Sequence, residues 1–73
     1  MAVDESTTAQ TALALGAQIR ERRRALGISQ EDLSQLASVS LRFLGSLERG
    51  KSTVRLSALI AVCDALGLKV TLS

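Results

Sequence analysis

Apolar positions recur along most of this chain at spacings of three, four and seven, the period of an α-helix, and switch to strict alternation in the last six residues. Leu15, Ile19 and Leu26 lie on one face of a first helix running from Thr11, which Gly27 is placed to stop. Ser29 caps a second helix, with Asp32 three residues on as an acidic capping-box partner and Leu33, Leu36 and Ala37 as the inner stripe. Ser40 caps a third, "LRFLGSLER", with Leu44 and Leu47 inward and Gly50 beyond its end. A fourth, "RLSALIAVCDALG", places Leu56, Leu59, Ile60, Cys63 and Leu66 at core spacing. In "LKVTLS", Leu68, Val70 and Leu72 alternate with polar residues, the pattern of a strand. A lone strand has no partner inside a helical domain, so its backbone groups need water or a second copy of the chain.

Composition agrees with an all-α fold: of 73 residues 47% are hydrophobic and none is proline. This length holds one domain with a small core, for which self-association is a natural support. The pattern divides the chain into a mobile tail over 1–10, a helical domain over 11–67 and a dimerisation strand over 68–73. The single cysteine, Cys63, reads as a buried apolar residue, with no second cysteine for an internal disulfide. The polar start and the lack of a long apolar run suggest a cytoplasmic, nucleoid-associated protein without a membrane segment. Catalysis is disfavoured. The chain has no His and no Tyr, and no metal-ligand cluster, phosphate-cradling loop or nucleophile–base pair can be assembled from it, so neither metal nor cofactor is expected.

Charge changes the picture. The net is only +2, but the first ten residues carry Asp4 and Glu5 alone, and four of the nine cations are Arg20, Arg22, Arg23 and Arg24. Two short helices joined by a tight turn inside a helical bundle form a helix-turn-helix, whose second helix enters the DNA major groove. The outer face of the third helix suits that task. Arg42 can reach two acceptors on guanine, Ser46 a base or a phosphate, and Leu41 or Phe43 a thymine methyl. Ser40 lies at the groove-facing end, and Gly45 removes a side chain where the helix would approach closely. Gln30, at the start of the second helix, and Lys51, past the third, suit phosphate. Arg49 fits either phosphate or its own helix C-terminus. Phe43 suits packing against the second helix or a dimer partner as well as it suits DNA. Arg55 suits phosphate, the fourth helix or a protein partner. Arg20, Arg22 and Arg24 read mainly as a solvated face, with phosphate contact as the alternative.

The motifs "LGISQEDLSQLA" and "VSLRFLGSLERGK" resemble the Xre/Cro-like helix-turn-helix family over roughly residues 15–67. "RFLGSLERGKSTVRLSALIAVCDALGLKV" resembles, more narrowly, the HipB-type antitoxins. The resemblance implies a four-to-five-helix lambda-repressor-like bundle, with a C-terminal β-strand pairing across a homodimer. It implies a repressor of its own toxin–antitoxin operon that reads a pseudo-palindromic duplex and binds a HipA-type Ser/Thr kinase toxin. It places groove contacts on Ser40, Leu41, Arg42, Phe43 and Ser46, and phosphate contacts on Gln30 and Lys51. It also pairs Arg23 with Glu48 as a structural lock. Two positions depart from the family pattern: Ser34 stands where Ala is usual and Ser38 where Gly is usual. The alternatives are a stand-alone phage-type or metabolic repressor, or a protein-interaction module that keeps the fold without binding DNA.

Overall fold

The computed structural model describes residues 4–71. They form four helices: α1 (Glu5–Ala25), α2 (Gln30–Ala37), α3 (Leu41–Glu48) and α4 (Leu56–Ala65). The expected tail over 1–10 is helical from Glu5 onward. Asp4 caps α1 by accepting from the Ser6 N–H at 3.0 Å, Glu5 complements the helix dipole, and the next residues contain no Gly or Pro to interrupt the ladder.

The other boundaries follow the sequence signals. Ser29 and Asp32 form a reciprocal capping box, each side chain accepting from the other's backbone N–H. The Ser40 hydroxyl accepts from the Phe43 N–H at 2.9 Å. The ends of α1, α3 and α4 repeat one device, seen most clearly in α1. Gly27, at φ 72°, donates its N–H to the Arg24 carbonyl, and the Ile28 N–H goes back to Arg23. Ser38 does the same work after α2 at φ 55°, a left-handed conformation that disfavours any side chain.

Ile19, Leu33, Ala37, Leu44, Leu47, Val62 and Leu66 form the core. α2 packs chiefly on α4, and α3 on α1 and α2. Gly16 is what brings α1 so near α3: a Cβ there would strike the Leu47 carbonyl oxygen and lie 2.9 Å from that of Glu48. Four expected core residues lie outside. Leu36 and Leu56 are 65% and 64% exposed, and Leu26 and Ile60 also face solvent. Leu26 is the residue that ends α1, and in α2 and α4 the buried face takes in most of the expected residues but is turned away from Leu36, Leu56 and Ile60. Ser34 and Val62 occupy the places assigned to Leu36 and Ile60. Cys63 is buried as expected, and its thiol pKa is pushed up by burial and by the neighbouring Asp64 charge.

The expected strand is absent among the described residues. Residues 68–71 have no regular secondary structure, and Leu72 lies outside the described residues. The Leu68 N–H is spent on the Cys63 carbonyl at 2.8 Å, and its side chain packs against the core. Among the described residues no strand offers the remaining backbone groups a ladder.

Replacing Ser38 by Gly relieves the left-handed strain, partly offset by greater freedom of the unfolded chain. Ser38→Gly is expected to stabilise the protein by about 0.5–1 kcal/mol, read as a raised urea midpoint at constant slope.

Candidate nucleic-acid interface

The turn between α2 and α3 sets the second helix across the first, and Leu44 and Leu47 anchor its inner side. Its opposite side is open. Leu41 and Arg42 are exposed, and Ser46 is partly so. A groove of about 540 Å³ runs between the start of α3 and the loop leading into α4. The structure brings Ser40, Arg42, Phe43, Ser46 and Lys51 together in its wall. It adds Thr53 and Arg55, so Arg55 faces the same space as Arg42 and Lys51. Three cations and four hydroxyl side chains line this groove, and no acid does. Phe43 has two faces: it is half-buried against the core, and what remains exposed lines the groove. Leu41 stands outside the groove wall, exposed at the helix start.

Gln30 and Arg49 fall elsewhere, in a recess between α1 and the α2–α3 pair that also holds Arg20, Arg23, Arg24 and Glu48. Its floor is a buried ion pair. Arg23 Nε donates to Glu48 Oε2 at 2.7 Å, and Nη2 donates to Oε1 at 3.0 Å. Arg23 Nη1 donates to the Ile28 carbonyl at 2.9 Å. Gln30 Nε2 donates to Glu48 Oε1 at 3.1 Å, so the amide expected to meet phosphate is held by the carboxylate. One of its two N–H groups remains free for a second acceptor. Burial pushes the Glu48 carboxyl upward. Hydrogen bonds from Arg23 and Gln30, with the charges of Arg23 and Arg20, outweigh that and leave it below its ordinary range. The hydrogen bonds it donates to Glu48 raise the Arg23 guanidinium pKa against the opposing effect of burial.

The role expected of Gly45 changes. The helix there is covered by the chain's own Arg49, whose Nη1 would lie 3.1 Å from an added Cβ. Arg49 Nη2 also reaches Ser46 Oγ at 3.4 Å, linking the recess to the groove. Arg22 is no mere solvated cation either: its Nε donates to the Leu66 carbonyl at 3.0 Å and closes the end of α4. Of the residues expected to serve dimerisation, Leu68 is half-buried and Val70 is 52% exposed. No helix among the described residues is long and apolar enough to cross a membrane, and no three metal-ligating side chains among them cluster.

Removing the Glu48 charge leaves Arg23 buried without its partner. Glu48→Gln is expected to lower stability by about 3 kcal/mol in chemical denaturation. Because folding lowers the Glu48 pKa, its contribution is present in full above the unfolded value, near pH 4.5, and is lost as pH falls through the folded value. The acid-side decline in stability should therefore be shallower in Glu48→Gln than in the parent.

Two comparisons bear on this arrangement. Residues 14–72 match the helix-turn-helix domain family. Over 56 residues the chain is 34% identical to a Sinorhizobium fredii (strain NBRC 101917 / NGR234) protein named as an uncharacterized HTH-type transcriptional regulator, y4mF, an alignment covering 77% of this chain and 74% of that one. With the α2–turn–α3 unit in place and the match spanning most of its length, the chain belongs to the helix-turn-helix domain family.

Proposed function

We propose that the protein is a sequence-specific, double-stranded-DNA-binding transcriptional repressor acting as a homodimer, with α3 as its recognition helix. One observation carries this reading. α3 is gripped from inside by Leu44, Leu47 and the Glu48 ion pair, while its outer side presents Arg42 and Ser46 beside an acid-free groove holding Lys51 and Arg55. A rigid helix with a cationic outer side suits the major groove. The transcriptional-regulator name of the rhizobial relative agrees with it. In this reading Arg42 takes guanine, Ser40, Leu41 and Ser46 contribute further base-edge or phosphate contacts, and Lys51, Gln30 and Arg49 meet phosphates.

Two copies related by a two-fold axis would read half-sites about 34–36 Å apart. In the dimerisation strand proposed over 68–73, residues 68–71 would gain the ladder they lack by pairing with the same segment of a second copy, and the exposed Leu56 and Ile60, one turn apart on α4, offer apolar area for association. The resemblance of residues 42–70 to HipB-type antitoxins supports the narrower proposal: the protein represses its own toxin–antitoxin operon and binds a HipA-type Ser/Thr kinase toxin.

Arg42→Ala should weaken binding to the operator by about 1–3 kcal/mol and leave binding to unrelated duplex nearly unchanged, measured by fluorescence anisotropy. Equal loss on every sequence would remove base reading from Arg42. Val70→Pro deletes one N–H of the proposed ladder at an exposed position. It should raise the dimer dissociation constant about tenfold in sedimentation, the loss expected for roughly one to two hydrogen bonds. An unaltered constant would rule out strand pairing.

A further inference from the structure

We propose that Arg22 is a positioning residue for the homodimer: it aims the C-terminal segment as it leaves the domain and so fixes how two copies pair. This rests on the homodimer reading above. It assigns Arg22, one of the cations read from the sequence mainly as a solvated face, to self-association instead of DNA.

After α4 the chain turns at Gly67, at φ 74°, and the N–H groups of residues 66–68 take the carbonyls of Val62, Cys63 and Asp64. Leu68 is held by its N–H on the Cys63 carbonyl and by its side chain on the core. Beyond it Lys69, Val70 and Thr71 are exposed and without regular structure. Their direction is set where the chain turns, and glycine there leaves the backbone more freedom than any other residue would. Arg22 limits that freedom. Its Nε donates to the Leu66 carbonyl, the acceptor of the peptide that enters the turn, at 3.0 Å. An added Cβ at Gly67 would lie 3.6 Å from Arg22 Nη2, so the guanidinium also lies against the turning residue. The dipole of α4 favours a cation at this end.

Arg22 and Arg23 are consecutive, so their side chains leave α1 about 100° apart. Arg23 takes the end of α3, and Arg22 takes the end of α4. α4 packs chiefly on α2, and Arg22 adds a tie to α1. One turn of α1 therefore holds both the recognition helix and the root of the dimerisation segment. Two copies joined through segments held this way carry their recognition helices at a set separation, which pseudo-palindromic half-sites require. Arg22 is not committed elsewhere: the only ion pair among the described residues is Arg23–Glu48. It lines neither the recognition groove nor the recess over Glu48.

The test uses two uncharged replacements of similar length. Arg22→Gln keeps an N–H at about the place of Nε, and Arg22→Met puts a methyl group there. Both remove the charge, so the donor is what separates them. Dimer dissociation constants of the full chain are measured by sedimentation. Arg22→Met should raise the constant about tenfold, because each copy must then order its own segment on association. Arg22→Gln should stay near the parent. Ser29→Ala, which loses the α2 cap, controls for lowered stability, and its constant should not move. Operator duplexes with one base pair added or removed between half-sites give a second readout. The parent and Arg22→Gln should reject them, and Arg22→Met should discriminate less. Equal constants for Arg22→Met and Arg22→Gln would overturn the positioning role and leave the homodimer standing. A parent that stays monomeric would overturn the homodimer reading and this role with it. Circular dichroism of each variant checks that the fold is retained.

Discussion

The placement of α3 depends on the contact between Arg23 and Glu48. Replacing such a pair by well-packed hydrophobes is often neutral for stability, so its worth lies in geometry more than in net energy. Through one guanidinium, α1 is joined to the last turn of α3 and to the Ile28 carbonyl in the loop before α2. Through the same carboxylate, the first residue of α2 is joined to both. Three helices thus share one hydrogen-bonded knot, and no buried side-chain polar atom among the described residues lacks a partner. The leucines beneath α3 give it somewhere to sit, but contacts of this kind tolerate sliding; a two-pronged ionic contact does not.

The knot also sorts the surface into two cationic regions with different neighbours. One lies along the outer side of α3 and is rich in hydroxyls as well as charge, as suits hydrogen bonding to varied partners. The other lies over the knot itself, and its cations are all guanidinium groups. Both exist because the one acid between them is consumed internally. A carboxylate left free at that position would cancel part of the attraction that either region exerts.

Much of this was legible in the chain, and the reasons differ by residue. The caps at Ser29 and Ser40 and the stops at Gly27, Gly50 and Gly67 are local chemistry, and local chemistry is written in short spacings. The outer face of α3 was readable because Leu44 and Leu47 leave little choice of inner side. α4 was harder: it is apolar around most of its circumference, so periodicity does not select which side is buried, and Leu56 and Ile60 were assigned inward. Leu36 was misplaced for a related reason. Ser34 is buried instead, with its hydroxyl bonded to the Glu31 carbonyl, and a pattern based on hydrophobicity passes over it. Gly16 carries no signal in the apolar pattern, and its purpose needs the position of α3 to be known. The Gln30 contact was hidden likewise, since it spans eighteen residues and depends on a partner expected only to pair with Arg23. The spacing of Arg20 and Arg24 was a visible hint of a shared face, but nothing in the chain shows what lies opposite.

The early start of α1 has its own consequence. Residues 4–11 are exposed on every side, while the chain from Leu13 onward touches the rest of the fold. That first stretch is held by its own backbone ladder and the Asp4 cap, and helices of this length are marginal when they stand alone. The protein therefore has two regimes of stability along a single continuous rod: a base that unfolds only with the whole domain, and a forward end free to fray and re-form while the base stays folded.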